Sequence, residues 1–464
     1  MSRSVRPAPA VAALLVLALT GTACNGGVHG TPGGSGVRDP YFPKAGNGGY
    51  DVGHYDLTLD YTPATRRLTG TAVITARATQ DLSAFDLDLA GLDVDSVTVE
   101  GRKARFNRAG QELTVRPHDD LGKGETFRTV VRYSGTPRTL TDPDGSKEGW
   151  LPTADGALGL GEPVGSMAWF PGNDHPSDKA SYDITVTVPK GLQAVSNGEL
   201  TDQATKDGRT AYHWHTAQPM ASYLATVAVG HFDVTRTTGP HGLPIITAVD
   251  PAQAEASEKV LAQLPGIIKW EEINFGPYPF SSAGAIVDRP GSADYALETQ
   301  NRPVIPADHL ETSTLVHELA HQWYGDAVTP KSWQDMWLNE GFATYAEWLY
   351  EEDHGGKSAQ QTFTDLYDGD NEAVWAYPPA RPSSAAHISD SPVYQRGAMV
   401  LQKIRQKVGD DTFYDIIQGW VAARRYGNAS TADFTAYVEK KAPHKDFREI
   451  WKDWLYGDRK PDRP

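Results

Sequence analysis

The spacing of apolar residues divides the chain into a β part and a helical part. Between residues 50 and 251, short segments such as 55–59 and 71–75 alternate apolar with polar residues or carry β-branched residues, and turn-forming clusters separate them. Such alternation is typical of strands that bury one face. No stretch in this part keeps helical spacing for ten residues. We therefore predict an all-β, sandwich-like domain over 50–251.

From residue 252 onward the apolar positions recur every three to four residues, as Leu261, Leu264 and Ile268 do. This period indicates amphipathic helices. Helical segments are predicted over 313–325, 338–352, 392–408, 411–424 and 431–440. A short apolar run, 283–287, is predicted to be a strand. The predicted fold class is multidomain α+β, in which the all-β domain is followed by an α-rich domain over 252–464.

The first 49 residues differ from the rest. Two arginines precede an apolar run at 11–19, small residues follow, and then comes Cys24, the only cysteine. This order is typical of an export signal, and nine apolar residues are too few to span a bilayer as a helix, which needs about 20. We predict a signal peptide over 1–24 that resembles a lipoprotein signal, with lipidation at Cys24. A Gly/Pro-rich flexible tether is predicted over 25–49.

These predictions place the protein outside the cytoplasm. It is expected on the extracytoplasmic face of the cell membrane, held by a lipid on Cys24, and its membrane contact is expected only there. The alternative is a cleaved signal with an incidental cysteine, which gives a secreted protein. A monomer is expected.

The charge of the chain narrows the choice of partners. It carries 59 acidic and 43 basic residues, a net charge of −16. Binding to nucleic acid depends on Lys and Arg that neutralise phosphates, so no nucleic-acid partner is expected. A single cysteine also excludes an intrachain disulfide and a cysteine-rich metal site.

Residues 317–321 read HELAH and provide the candidate chemistry. His317 and His321 are four residues apart, so on a helix their imidazoles share one face and can bind one metal ion. Imidazole suits zinc, and catalytic zinc usually has three protein ligands and one open position. Glu340 follows eighteen residues after His321, near the start of the next predicted helix, and is the candidate third ligand. One Zn²⁺ per chain is predicted.

Longer stretches around these residues resemble a known family. Residues 317–326 read HELAHQWYGD and 337–343 read WLNEGFA, while 169–176 read WFPGNDHP and 275–280 read FGPYPF. Together they closely resemble the M1 family of zinc aminopeptidases, which are gluzincins. Because no large helical domain follows residue 464, the chain resembles the short members that lack the C-terminal helical domain. The resemblance implies a thermolysin-like catalytic domain.

The resemblance also implies roles for individual residues. His317, His321 and Glu340 would be the zinc ligands and Glu318 the general base. Tyr394 occupies the place of the family's catalytic tyrosine, which stabilises the oxyanion.

Recognition of a free α-ammonium group needs carboxylates near the metal. The segment 295–299, which reads YALET, matches the family's Gly-Ala-Met-Glu-Asn segment at Ala296 and Glu298. Glu162 stands where the family's β domain provides a glutamine. These three residues would bind the substrate, so peptides with a free N-terminus are the expected partners.

Other interpretations remain open. A zinc endopeptidase would not need the free amine, and a surface binding lipoprotein would keep the fold without turnover. His213 and His215 share one face of a predicted strand and could bind metal, but with no third ligand at matching spacing we predict strand packing. Two partners stay open for Arg396, namely a substrate carboxylate and a nearby acidic residue.

Overall fold

Alternating burial shapes the N-terminal half of the protein, whose structure is given by a computed structural model that describes residues 29–462. In the central strand Lys179–Pro189, the side chains of Tyr182, Ile184 and Val186 are buried, whereas Asp183 between them lies on the outer face. Successive side chains of a strand point to opposite faces, so one face of this sheet builds the core. The signal peptide and Cys24 lie outside the described residues.

Seventeen strands form this half. They are β1 Thr31–Pro32, β2 Tyr50–Thr62, β3 Arg67–Ala78, β4 Leu82–Asp88, β5 Asp93–Val99, β6 Arg102–Lys103, β7 Arg105–Ala109, β8 Glu112–Arg116, β9 Thr126–Gly135, β10 Thr139–Thr141, β11 Lys147–Pro152, β12 Ala157–Leu160, β13 Lys179–Pro189, β14 Gln193–Ser196, β15 Glu199–Lys206, β16 Arg209–Ala221 and β17 Val227–Gly230.

Three sheets arise from these strands. The largest has eight strands in the order β15-β16-β13-β2-β3-β9-β5-β6, and a five-stranded sheet has the order β10-β11-β12-β17-β14. A four-stranded sheet follows the order β1-β4-β8-β7. β13 pairs with β2 in parallel and with β16 in antiparallel fashion.

The C-terminal half combines a small sheet with helices. Its strands are β18 Asp233–Thr238, β19 Pro244–Val249, β20 Ala283–Asp288, β21 Val304–Pro306, β22 Thr329–Pro330 and β23 Asn428–Ala429. Its helices are α1 Ala254–Leu261, α2 Leu264–Phe275, α3 Thr312–Ala320, α4 Trp337–Asp353, α5 Ala359–Asp368, α6 Gly397–Val408, α7 Asp410–Arg424 and α8 Thr431–Lys441. π-helical segments span Pro392–Arg396 and Ile450–Leu455. The fold class predicted from the sequence, an all-β domain followed by an α-rich domain, is confirmed.

The sheet β18-β19-β20-β21 extends across the domain boundary predicted at residue 251. β19 pairs in parallel with β20, so strands from both sides of that position share one sheet. Helical periodicity begins only at α1, whereas the pairing of β19 with β20 is set by contacts distant in sequence. Within residues 29–462, no helix is long and apolar enough to cross a membrane.

Residues 29–49 do not form the flexible tether that their composition predicted. β1 pairs with β4, and Asn47 donates a hydrogen bond to Asp88 at 2.9 Å. Gly46 has φ of +67°, and a Cβ there would lie 2.5 Å from the Cβ of His175. A side chain at this position would collide with His175. The glycine is therefore explained by close packing and does not indicate a flexible segment.

Polar contacts fix the two halves against each other. Lys179 of β13 donates to the carbonyl of Asp326 at 2.7 Å, and Tyr223 donates to the carbonyl of Gly325 at 3.1 Å. Arg302, fully buried, donates to the carbonyls of Ser196 and Gly198. The cleft between the halves therefore has walls that are held by buried hydrogen bonds.

Candidate metal centre and active site

The HELAH motif lies at the end of helix α3. Leu315, Val316 and Leu319 are buried and fix the rotation of the helix against the core. His317 lies in the last turn and His321 directly follows the helix end, so their rings meet edge to face with centroids 4.8 Å apart.

Helix α4 brings Glu340 to both imidazoles. Its Oε2 lies 3.1 Å from Nε2 of His317 and 3.4 Å from Nε2 of His321. Ligands at about 2.0–2.1 Å from a tetrahedral zinc ion are roughly 3.3 Å apart. Two imidazoles and a carboxylate at this spacing fit zinc in both geometry and donor chemistry.

The other nitrogen of each imidazole has its own partner. Nδ1 of His321 donates to the carbonyl of Tyr324 at 3.0 Å, and Nδ1 of His317 lies 2.6 Å from Oε1 of Glu347. A carbonyl only accepts, so the proton of His321 is on Nδ1 and Nε2 is free to coordinate. Such partners orient ligating histidines.

Glu347 was not among the residues predicted from the sequence. It follows Glu340 by seven residues on α4, which is about two helical turns, so both carboxylates lie on one face. This seven-residue spacing is the sequence feature from which Glu347 could have been predicted.

Charges around the two histidines favour a cation. Burial opposes protonation of His317, but the hydrogen bonds and charges of Glu340 and Glu347 raise its pKa well above 6.5. Burial is likewise outweighed at His321, where Glu298 and Glu340 raise the pKa to about 9. The surroundings thus stabilise positive charge at this point.

Glu318 lies between the two histidines in sequence and faces the same cavity. It is 5% exposed, and its Oε2 has no hydrogen-bond partner among the described residues. Burial raises the pKa of Glu318 to about 8, although both imidazoles lower it. A carboxyl group with a proton affinity near neutrality is suited to accept and return protons.

Two more glutamates meet beside the metal position. Oxygens of Glu162, Glu298 and Glu340 lie within 4.8 Å of one another. Glu298 is 3% exposed, and its Oε1 and the Oε2 of Glu162 have no partner among residues 29–462. Burial and the charges of Glu298 and Glu340 raise the pKa of Glu162 well above 4.5. No lysine or arginine of residues 29–462 lines the cavity at this corner, and its basic groups are the two imidazoles that pair with Glu340.

Tyr394 packs against His317 and lines the same cavity. It belongs to the π-helical segment Pro392–Arg396, and its ring stacks on the imidazole of His317 at 5.9 Å with an interplanar angle of 14°. Burial and the charge of Glu340 raise the pKa of Tyr394 well above 10. Its hydroxyl therefore stays protonated and can donate a hydrogen bond.

A cavity of about 260 Å³ joins these groups. It is lined by every predicted site residue within the described part of the chain, namely Glu162, Ala296, Glu298, His317, Glu318, His321, Glu340 and Tyr394. Phe42 also lines it and packs edge-on against Trp333 at 6.1 Å. Phe42 was missed because it lies in the segment predicted to be a tether.

The remaining candidates lie outside this cavity. Arg396 is fully buried, does not line the cavity and donates to backbone carbonyls, including those of Trp454 and Tyr377, and it forms no ion pair with an acidic side chain of residues 29–462. His213 bonds Thr185 at 2.6 Å and His215 bonds Asp183 at 2.8 Å. The two histidines are engaged by neighbouring strand residues, and the groups with metal-binding geometry in residues 29–462 do not include them.

Comparison with known proteins agrees with this arrangement. The Peptidase M1 N-terminal domain matches residues 52–224, and the Peptidase family M1 domain matches residues 301–454. Probable aminopeptidase 2 of Sulfurisphaera tokodaii is 27% identical over 404 residues, which are 81% of this chain and 50% of that protein. Glutamyl aminopeptidase of Bos taurus is 28% identical over 318 residues, 62% of this chain and 33% of that protein. The chain thus spans half or less of the length of these curated relatives.

Solved structures of similar length also match. The M1 zinc metallopeptidase from Deinococcus radiodurans has a TM-score of 0.85 and 30% identity, covering 92% of this chain and 99% of that one. A glutamate-to-alanine variant of it, described as bound to a Tyr-Ser-Ala substrate, has a TM-score of 0.84 and 30% identity, covering 91% and 98%.

Proposed function

The chain belongs to peptidase family M1, and we propose that it is a zinc-dependent aminopeptidase that hydrolyses the N-terminal peptide bond of peptides. One observation carries the proposal. The three candidate zinc ligands converge on one point, and Glu162 and Glu298 stand beside it, each with one buried carboxylate oxygen that has no hydrogen-bond partner among residues 29–462. A metal centre next to a cation-binding corner is the arrangement that an aminopeptidase needs.

His317, His321 and Glu340 would hold one zinc ion. When bound there, zinc would polarise the scissile carbonyl and lower the pKa of a water molecule. Glu347 and the carbonyl of Tyr324 support this role because they hold both imidazoles with Nε2 directed to the same point.

Glu318 and Tyr394 would handle the protons and the developing charge. Glu318 accepts a proton from the attacking water and returns it to the leaving nitrogen as the C–N bond breaks. The Tyr394 hydroxyl donates a hydrogen bond to the oxyanion that forms on the former carbonyl. Both side chains line the cavity, and within residues 29–462 no hydrogen bond engages the Tyr394 hydroxyl or Oε2 of Glu318, so a substrate would displace no partner there.

Glu162 and Glu298 would bind the α-ammonium group of the substrate. Charge-assisted hydrogen bonds are strong in a site that excludes water. Ala296 lies two residues before Glu298 in the same cavity wall and would contact the backbone of the N-terminal residue. The tripeptide described for the Deinococcus radiodurans relative supports short peptides as the substrate class.

Hydrolysis of matched peptides tests this function. Zinc-loaded protein is assayed on peptides with free and acetylated N-termini, with Glu318→Gln as the inactive variant and Glu258→Gln, at an exposed position of α1, as the matched control. We expect cleavage of the free series alone, lost only in Glu318→Gln. Equal cleavage of both series would make the protein an endopeptidase. Stoichiometric zinc without any cleavage would favour a binding protein.

A further inference from the structure

The cavity contains more carboxyl groups than the proposed reaction uses. Seven acidic residues line it, and no lysine or arginine does. Four have roles as zinc ligand, general base or amine anchors. The remaining three, Asp142, Asp144 and Asp294, have no role in that reaction. No Lys, Arg or His of residues 29–462 lies within ion-pair distance of the three, although the charge of Lys147 lowers the pKa of Asp142.

These three aspartates form one wall. Asp142 and Asp144 lie in the loop between β10 and β11, and Asp294 directly precedes Tyr295. The Tyr295 hydroxyl donates to the carbonyl of Lys147 at 3.1 Å. This hydrogen bond joins the loop to the segment that carries Asp294, so all three carboxylates belong to a single surface, which we call the aspartate wall.

The aspartate wall adjoins the corner assigned to the α-ammonium group. Asp294 is four residues from Glu298 along one cavity wall. On the other side, Glu148 accepts a hydrogen bond from the backbone N–H of Val164 at 3.0 Å, two residues after Glu162, and shares a hydrogen bond with Asp142. The buried Oε1 of Glu298, which has no hydrogen-bond partner among residues 29–462, faces the same cavity and can accept from a cationic group there.

Asp142 contributes a negative charge at neutral pH. Burial raises the pKa of Glu148 well above 4.5, and the neighbouring Asp142 raises it further, so Glu148 keeps the proton of this pair. Burial raises the pKa of Asp142 to about 6, while its hydrogen bond from Glu148 lowers it. Asp144 and Asp294 are exposed at the rim. Lys147, the first residue of β11, donates to Thr141 at 2.6 Å, and its charge lowers the pKa of Asp142.

We propose that the aspartate wall selects peptides whose N-terminal residue has a cationic side chain, lysine or arginine. This inference rests on the proposed function, because an α-ammonium at Glu162 and Glu298 puts the side chain of the same residue beside the wall. Lysine and arginine side chains are long enough to reach charged groups away from their Cα. An acidic side chain would meet three like charges there.

The preference for a cationic N-terminal side chain is tested with two substrates of nearly the same shape but different charge. Arginine and citrulline differ in charge but scarcely in size, so kcat/KM is compared for Arg- and citrulline-initiated fluorogenic amides. We expect a preference for arginine of at least tenfold. Asp144→Asn/Asp294→Asn, both at exposed positions, and the triple variant that adds Asp142→Asn should lower the ratio stepwise by lowering kcat/KM for the arginine substrate.

A control variant separates the wall from net charge. Asp95→Asn/Asp202→Asn/Asp233→Asn removes three exposed carboxylates outside the cavity and should keep the wild-type ratio. A ratio near one in the wild type, with neutral substrates cleaved, would overturn the selection and leave the aminopeptidase intact.

Binding gives a readout that does not need turnover. Calorimetry on zinc-loaded Glu318→Gln compares Arg- and citrulline-initiated dipeptides, and we expect tighter binding of the arginine dipeptide by at least tenfold. Absence of turnover in the wild type would contradict the proposed function. Equal affinity for the two dipeptides would contradict the aspartate wall.

Discussion

The carboxylate of Asp39 accepts a hydrogen bond from the Ser332 hydroxyl at 2.7 Å, and this contact ties the N-terminal segment to the helical domain. The same Oδ2 accepts from the backbone N–H of Trp333 at 2.9 Å and lies 3.4 Å from Nε2 of His175 in the β domain. One buried carboxylate therefore links three parts of the chain. Its neighbour Tyr41 extends the link by donating to the carbonyl of Pro382 at 2.7 Å.

Asp39 should make stability depend on pH. Burial alone would raise its pKa, but hydrogen bonds from His175, Ser332 and two backbone N–H groups lower it from 3.8 to about 2. Because the folded pKa lies below the unfolded one, the contribution is complete above about pH 5 and is lost as the pH falls toward 2. At neutral pH it is worth about 2 kcal/mol.

The corresponding experiment is unfolding of Asp39→Asn at several pH values. We expect a loss of about 2 kcal/mol in the free energy of unfolding at pH 7 that shrinks below pH 4. Asp202→Asn, at an exposed position, is the matched control. An equal loss at every pH would show that shape rather than charge makes Asp39 stabilising.

Glu347 should set the affinity for zinc. It orients His317 through the 2.6 Å contact at Nδ1, and removal of such partners typically lowers metal affinity 10- to 100-fold. We expect Glu347→Gln to show this loss in chelator competition, with the fold unchanged. Glu351→Gln, one turn further along α4 and exposed, should bind zinc like the wild type. Wild-type affinity in Glu347→Gln would contradict the role.

Local patterns predicted the parts of the fold that local spacing determines. α4 begins at Trp337 and α8 spans Thr431–Lys441, close to the predicted segments, because helical periodicity is a property of neighbouring residues. The positions of His317 and Glu340 could be predicted from the sequence for the same reason. A motif on one helix and a glutamate early on the next limit the geometry strongly.

Long-range packing explains what the sequence did not reveal. Asp39 is far in sequence from Ser332, and no spacing rule connects them. The loop that carries Asp142 joins the consecutive strands β10 and β11, but it lines the cavity beside Tyr295, which is far from it in sequence and donates to the carbonyl of Lys147. In the N-terminal segment, glycine frequency indicated flexibility, although Gly46 is needed where the chain approaches His175 closely.

Tyr394 should act mainly on the transition state. Its hydroxyl has no hydrogen-bond partner in the described part of the chain, and the residue lines the cavity while its ring stacks on His317. Loss of one oxyanion donor typically costs 10²- to 10³-fold in kcat. We expect Tyr394→Phe to lower kcat by this factor with KM nearly unchanged and zinc still bound. Tyr456→Phe, at an exposed position, is the control. A change confined to KM would assign Tyr394 to substrate binding instead.

Glu298 should determine whether a free N-terminus is required. Its carboxylate is buried, has one unpartnered oxygen and lies beside Glu162, so an α-ammonium would complete both groups. Hydrogen bonds to charged groups are worth about 1.5–3 kcal/mol, which corresponds to about a 10- to 100-fold change. We expect Glu298→Gln to lower kcat/KM for free peptides by this factor, mostly through KM, and to leave acetylated peptides uncleaved. Glu162 is half-buried, and burial together with the charges of Glu298 and Glu340 raises its pKa well above 4.5, so Glu162→Gln should remove less negative charge and cause a smaller loss. If instead Glu298→Gln cleaves free peptides at the wild-type rate, the amine is bound elsewhere and the corner formed by Glu162 and Glu298 has another role.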